Sequence, residues 1–159
     1  MKKLNFFTLF FVFSTVFFSS HAQDFAGNFL EVNKNKQADF SVVNVTSAML
    51  KMIAGNMDSD PEVKTMIQNI KGIRRITAVN NSKNYYSSAK NSLAGQYEEL
   101  VSVDNSEKNV RIFIKGAQNN IVSEVVMLML ENNIFTLIDI AGKIDLNQLS
   151  KLSTIISDM

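Results

Sequence analysis

The 159-residue chain contains no cysteine, one histidine, one proline and six glycines. The absence of cysteine excludes disulfides, thiol redox chemistry and attachment to a membrane through a lipid-modified cysteine. The one histidine, His21, lies in an N-terminal segment that we expect to be removed. The mature chain would then also lack imidazole, which excludes Ser-His-Asp and Cys-His catalysis, haem held by His or Cys, and ordinary zinc sites. We therefore predict no cofactor and no metal site; any metal ion would have to be held by oxygen ligands alone.

The charge balance is close to neutral. The chain has 16 basic and 15 acidic side chains, and removal of Lys2 and Lys3 leaves 14 basic against 15 acidic groups, a formal charge of −1. Such a balance provides no electrostatic attraction for nucleic acid or for an anionic membrane, so neither is predicted as a partner. The scarcity of proline and glycine leaves no linker between domains. We predict a single domain over residues 39–159.

Residues 1–22 have the pattern of a cleavable secretory signal peptide. Lys2 and Lys3 form a positive n-region, residues 4–18 are almost wholly apolar, and Ser20-His21-Ala22 is a small-x-small cleavage site. An apolar run of about 15 residues is shorter than the roughly 20 that a membrane-spanning helix needs. We therefore expect cleavage after Ala22, a mature protein that is periplasmic or secreted, and no stable membrane span after cleavage.

The first part of the mature chain is predicted to contribute little to the fold. Residues 23–38 are mostly polar after a short apolar patch, and we interpret them as a flexible N-terminal lead-in. From Phe40 a run of β-branched residues predicts a strand, and Thr46 or Ser47 is placed to cap a helix after it.

A proline marks the start of the next helix. Pro61 suits the first helical position because its missing N–H is not needed there, and Asp60 can cap the helix. Gly72 is expected to end the helix in a left-handed conformation, and a β-branched strand follows it. Arg74 and Arg75 would then point to opposite faces of the sheet, so they could not form one basic patch.

Ser82 is predicted to open a third helix, because apolar side chains recur after it at helical spacing. Glu98 and Glu99 would form its solvated end. Ser87 and Lys90 have the S-x-x-K spacing of hydrolases that use lysine as a base, but the companion motifs are absent, so we do not assign them a catalytic role. The apolar stripe consists of Tyr85, Ala89, Leu93, Tyr97 and Leu100.

The C-terminal part of the chain predicts strands joined by tight turns. Short links at residues 116–120 and 132–133 indicate an antiparallel meander, and Asp145 and Gln148 have the spacing of a capping box that opens a last helix. The fold class is therefore α+β: an antiparallel sheet, made of this three-stranded meander plus N-terminal strands, packed with about four helices. The three strands are predicted at residues 110–115, 121–130 and 134–141, and the last helix should bury Leu146, Leu149, Leu152 and Ile156.

Four segments of the chain carry a resemblance to a known protein family. They are FSVVNVTSAMLKMIA, KGIRRIT, VRIFIKG and AGKIDLNQLSKLS. With the leading signal, they make the chain resemble an exported bacterial family, domain of unknown function 4252, over residues 38–153. The resemblance implies an exported α+β domain of Gram-negative bacteria, and it implies no activity and no catalytic residues. Some relatives look like lipoproteins, and this chain differs from them in lacking the anchoring cysteine.

The predicted meander is apolar on both faces, unlike an antiparallel sheet with one solvated face. One explanation is that the helices divide between the two faces and bury both. The other is that the second face is partly open and docks a partner, a lipid-like ligand or another copy of the chain. Tyr86 lies off the stripe of the third helix and is expected to be exposed. The candidate binding residues are Phe113, Leu128, Leu130, Phe135, Leu137 and Tyr86.

The first hypothesis for the function is therefore an exported, non-enzymatic module that binds a protein, peptide or lipid-like partner, or a second copy of itself, within an envelope assembly. The alternative is a hydrolase or transferase that uses only carboxylate, Ser, Lys or Tyr groups. A third is a purely structural subunit. An enzyme should have a concave pocket with convergent polar groups, and a binding module should have an apolar groove or an exposed sheet face.

Overall fold

The computed structural model describes residues 24–56 and 61–148, which form four α-helices and six strands. Two short 3-10 helices, Lys34–Asp39 and Leu146–Gln148, follow the first α-helix and the last strand. The α-helices are α1 (Phe25–Val32), α2 (Ser47–Asn56), α3 (Pro61–Asn69) and α4 (Ser82–Leu93). The strands are β1 (Ser41–Thr46), β2 (Ile70–Ala78), β3 (Glu98–Asp104), β4 (Lys108–Lys115), β5 (Ile121–Glu131) and β6 (Ile134–Asp145).

All six strands belong to one antiparallel sheet in the order β1-β2-β6-β5-β4-β3. The α+β class and the C-terminal meander β4-β5-β6 are therefore confirmed. The turns between these strands contain Asn119-Asn120 and Asn132-Asn133, and all four asparagines have positive φ. Consecutive residues of this kind form tight hairpin turns that match the twist of the flanking strands. β1 and β3 are the two edges of the sheet.

Helices cover both faces of the sheet. On one side, here the α1/α4 face, aromatic and branched side chains from α1 and α4 pack over β5 and β6. On the other, the α2/α3 face, α2 packs on β1 and β2 while α3 packs on β2 and β6. This division explains why the meander is apolar on both faces. Fully buried side chains include Phe135, Leu93, Leu128 and Leu137 on the first face and Leu50, Ile67, Ile70 and Ile144 on the second.

The N-terminal segment differs from the prediction of a flexible lead-in. α1 occupies its first half, and Asp24 caps this helix by accepting a hydrogen bond from the Gly27 N–H at 2.7 Å. Phe25 and Phe29 are 7% and 5% exposed and belong to the core of the α1/α4 face. Their i, i+4 spacing is the helical signal. The polar residues that suggested a lead-in lie in the 3-10 helix after α1, which buries no residue.

The third helix is shorter than predicted. α4 ends at Leu93, after which Gly95 adopts a positive φ of 84° and the Tyr97 N–H bonds to the Leu93 carbonyl at 3.1 Å. A left-handed glycine just after the last turn is a common helix end. Tyr97 still packs against the α1/α4 core, but Leu100 lies in β3 and is exposed. The predicted helical stripe therefore continues into an edge strand.

Three other predicted helix boundaries agree with the structure only in part. α3 begins at Pro61 as predicted, while Asp60 lies outside the described residues. The prediction that Gly72 ends this helix is wrong, because α3 passes into β2 at Ile70 and Gly72 pairs with Thr46 inside the sheet. Of the predicted last helix, the structure describes only Leu146–Gln148, a 3-10 turn whose Leu146 packs on the α2/α3 core, and the other predicted residues lie outside the described part of the chain.

Candidate functional site

The face predicted to bind a partner is part of the core. α4 and α1 lie over it, and Tyr86 is 8% exposed because α4 turns both of its adjacent tyrosines toward the sheet. The expectation that Tyr86 is exposed is therefore wrong, and within the described residues α1 and α4 cover this face. Of the other predicted residues, Phe113, Leu128, Phe135 and Leu137 are at most 3% exposed, and Leu130 is half-buried against the same core.

Two carboxyl groups lie under the first turn of α1. Glu124 on β5 and Asp139 on β6 are 7% and 2% exposed. The Phe25 N–H donates a hydrogen bond to Oε1 of Glu124, and the Ala26 N–H donates to Oδ2 of Asp139, both at 2.7 Å. The Tyr97 hydroxyl donates to Oε2 of Glu124 at 2.7 Å. Free N–H groups at a helix start favour negative or partly negative groups, so this pair anchors α1 to the sheet.

Burial changes the ionisation of this site. Removal from water raises the pKa of Asp139 to about 8, opposed by the Ala26 N–H bond and assisted by the charges of Glu124 and Asp24. Within the described residues, the Oδ1 atom of Asp139 is buried and makes no hydrogen bond. Burial, followed by the bond to Glu124, also raises the pKa of Tyr97. Near neutral pH the site therefore keeps Asp139 protonated.

An ion pair extends this anchor toward the β1 edge. Asp24, the cap of α1, pairs with the Arg74 guanidinium at 2.5 Å, and Arg74 Nε donates to the Asn44 side chain at 2.7 Å. Arg75 is exposed on the other face of β2, so the two arginines form no common patch, as predicted. The α1 start is thus linked to β2, β5, β6 and, through Asn44, to β1.

The carboxyl pair resembles the chemistry that the hydrolase alternative would need, since paired carboxyl groups with different proton affinities can act as acid and base. Here, however, the pair lies beneath α1, and its oxygens bond to the backbone of that helix. A substrate could reach Glu124 and Asp139 only after α1 had left the sheet. The arrangement holds a structural element and presents no reacting atom to solvent.

Within residues 24–56 and 61–148, the helices cover only part of the α2/α3 face. On its β3 side, apolar side chains from three neighbouring strands lie next to each other in two rows. Val101 and Val103 of the edge strand are 36% and 39% exposed, and the residues paired with them are half-buried. We call this set the β3–β5 apolar surface. Its rows are Val101, Ile112, Met127 and Val103, Val110, Met129.

On the α1/α4 face, ion pairs hold β3 against β4. The Arg111 side chain of β4, 13% exposed, pairs with Glu99 at 2.7 Å and also with Asp104. Arg111 contacts both ends of β3 on the α4 side. The strand is therefore held in place from one side while Val101 and Val103 face solvent on the other. Glu98 and Glu99, predicted to end a helix, belong to this strand.

A comparison with protein families identifies the family of this chain. The family model described as Domain of unknown function (DUF4252) matches residues 33–152. The chain belongs to the DUF4252 family. The match covers every strand of the sheet, including the β3–β5 apolar surface and both buried carboxyl groups, while α1 precedes it. A comparison with curated proteins finds no significant match for this DUF4252 chain.

The described residues include neither a membrane-spanning helix nor a cluster of metal-binding side chains. Across residues 24–56 and 61–148, no helix of the DUF4252 chain is long and apolar enough to cross a membrane. Over those same two ranges, acidic and histidine side chains do not gather in groups of three or more that could hold a metal ion. Two cavities, of about 430 and 470 Å³, share Ile121 and Lys143 and lie at the start of β5, away from the β3–β5 apolar surface.

Sequence reasoning missed the carboxyl pair and the apolar surface for different reasons. Glu124 and Asp139 each stand alone within an otherwise apolar strand run, and such an isolated acid is a usable signal of a buried polar contact. Their partner, α1, lies about 100 positions away in sequence, and no local pattern shows that contact. Val101 and Val103 were missed because their segment was interpreted as a helix end.

Proposed function

We propose that this DUF4252 protein is an exported, periplasmic or secreted, non-enzymatic module that binds an extended segment of a partner protein at the β3 edge of its sheet. The observation that carries the proposal is the β3–β5 apolar surface beside an edge strand. Apolar side chains in adjacent, accessible positions are a common feature of interaction sites. The mode of binding is strand addition, in which the partner's backbone pairs with the free edge.

β3 has the properties that strand addition requires. Within the described residues β3 pairs with β4 alone, so one row of its backbone N–H and C=O groups has no partner strand. All seven residues of β3 are exposed. A strand added there would extend the sheet and cover Val101 and Val103 without disturbing the core. Arg111 already holds β3 in its extended form, which reduces the entropy lost on binding.

The chemistry of this edge indicates the kind of segment it takes. On the α2/α3 face the partner would place alternate apolar side chains beside Val101 and Val103, since alternate strand residues share a face. Glu98, on the same face at the start of β3, is exposed and would favour a lysine or arginine at the neighbouring position of the partner. We therefore expect an extended segment with β-branched or other apolar residues and a basic residue near one end.

The position of α1 supports export with cleavage after Ala22. The Asp24 carboxylate both caps α1 and pairs with Arg74. Cleavage after Ala22 would leave each of these contacts intact. Intact-mass measurement of the protein recovered from cells tests this directly: the expected species begins at Gln23, and a retained N-terminus would contradict export by this signal.

Substitution of one edge residue tests the binding site. Val103→Asp places a charge on the β3–β5 apolar surface, whereas Val79→Asp makes the same change at an exposed valine, 68% accessible, outside it. Proteins that co-purify with the wild type should remain with Val79→Asp and be lost with Val103→Asp, while both variants keep the wild-type unfolding midpoint. An identical set of bound proteins for all three forms would contradict the proposed site.

A further inference from the structure

The opposite edge of the sheet, β1, has an unusual composition. Within the described residues its six positions pair with β2 alone, in continuous register from Ser41 opposite Thr77 to Thr46 opposite Gly72. Five of the six residues are exposed, and Val42 and Val43 are 39% and 46% accessible. The strand contains no charged residue, no proline and no bulge. Natural edge strands usually carry one of these features to prevent pairing with another chain.

β3 differs in features that oppose pairing with a second copy of itself, although they do not exclude a partner segment that carries a basic residue. It carries a bulge between Glu99 and Val101 and three acidic residues near its two ends. If two copies of β3 paired in antiparallel fashion, Glu98 and Glu99 of one copy would approach Asp104 of the other. Like charges opposite each other destabilise strand pairing. β1 has no such restraint, because an antiparallel second copy brings only valine, serine, threonine and asparagine side chains together.

We propose that β1 is a self-association surface on which a second copy of this chain pairs, antiparallel, across a twofold axis perpendicular to the sheet. The two six-stranded sheets would then form one continuous twelve-stranded sheet. Directly opposite residues of an antiparallel pair point to the same face, so the axis passes through Val43 or Asn44. The contact is isologous and closes as a dimer, which limits further growth at this edge.

α2 adds apolar area beside this edge. It packs against β1 and carries Met49 and Met52, which are 49% and 68% exposed. Two paired six-residue strands alone bury less than the roughly 1,000 Å² expected of a stable interface. The exposed methionines add apolar area to the contact, so a weak, concentration-dependent dimer is the expected result. This inference is independent of the proposed partner site, which lies at the other edge of the sheet.

The test uses the protein purified after export. Its mass in solution is measured by sedimentation at concentrations from about 1 to 200 μM. We expect a concentration-dependent dimer for the wild type. Val43→Lys, which places two lysines close together at the axis, should weaken the dimer by about tenfold or more. Val103→Lys, the matched change on β3, should leave it unchanged. A wild type that stays monomeric throughout, or a dimer that survives Val43→Lys, would overturn the proposal.

A second measurement remains informative if Val43→Lys fails to fold. The chain has no cysteine, so a single introduced thiol gives an unambiguous cross-link. With the axis at Val43, Val43→Cys should form a disulfide-linked dimer under mild oxidation, because directly opposite Cα atoms lie about 4.5 to 5.5 Å apart, within the range that a disulfide spans. With the axis at Asn44, Asn44→Cys should form this dimer instead. Val103→Cys should stay largely monomeric. Equal cross-linking at both positions, or cross-linking at Val103 alone, would place the contact elsewhere.

Discussion

Asp139→Asn should remove most of the pH dependence that the buried carboxyl pair gives to stability. In the folded protein the pKa of Asp139 is about 8, against a usual value of 3.8. The carboxyl group therefore keeps its proton until the pH approaches 8. Its folded-state pKa is therefore raised, and unfolding near neutral pH releases a proton. The stability linked to this proton is present at low pH and is lost as the pH rises through 8.

The magnitude follows from the shifted pKa. Between pH 6 and pH 9 the folded carboxyl loses its proton while the unfolded one is already ionised, which lowers the free energy of unfolding by about 2 to 3 kcal/mol. Asparagine cannot ionise, and its side-chain oxygen can still accept the 2.7 Å bond from the Ala26 N–H. The difference in stability between Asp139→Asn and the wild type should therefore grow in favour of the variant by that amount.

Urea unfolding at pH 6, 7.5 and 9 measures this difference. The matched control is Thr136→Val, which changes another buried polar residue of β6, 8% exposed, that does not titrate. The free energy of unfolding of Thr136→Val should change with pH by the same amount as that of the wild type. If the Asp139→Asn curve also runs parallel to the wild type, Asp139 does not hold a proton in the folded state and the reasoning is refuted.

Three substitutions test the packing by urea unfolding at one pH. Phe135→Ser, at a fully buried position in the face first predicted to bind a partner, should destabilise the chain by about 3 to 5 kcal/mol, and a loss below about 0.5 kcal/mol would show that the face is open. Tyr97→Phe removes the hydroxyl that donates to Glu124 and should cost about 1 to 3 kcal/mol; no loss would mean that the bond does not form. Gly142→Ala would place a Cβ 2.5 Å from the Asn69 carbonyl oxygen, so it should destabilise, and an unchanged midpoint would contradict the close approach of α3 to β6.

The elements predicted most accurately from the sequence are those whose own residues have strong conformational preferences. Asn132-Asn133 and Pro61 have conformational preferences strong enough to fix a turn and a helix start on their own. β3 was missed because Tyr97 and Leu100 happen to continue the helical spacing of α4. The signal that decides against a longer helix is Gly95, whose left-handed conformation follows the end of α4 at Leu93, about two turns before Leu100.

The candidate sites were harder to predict because they depend on contacts distant in sequence. The bonds from Phe25 and Ala26 to the carboxyl pair span 99 and 113 residues, and neither end of such a contact has a local pattern. The apolarity of both faces of the meander was visible in the sequence, and the structure assigns it to helices on both sides. Which part of each face the helices leave uncovered depends on where α2, α3 and β3 pack.

The central claim, that the β3 edge binds an extended segment of a partner protein, is tested most directly by photo-cross-linking in cells. A photoreactive amino acid is placed at Val103 and, in a separate variant, at Val79, which is exposed but lies outside the β3–β5 apolar surface. We expect ultraviolet light to link the Val103 variant to one or a few discrete proteins, and the Val79 variant to none of them. The same products at both positions, or no product at Val103 while the protein is folded and exported, would contradict the account.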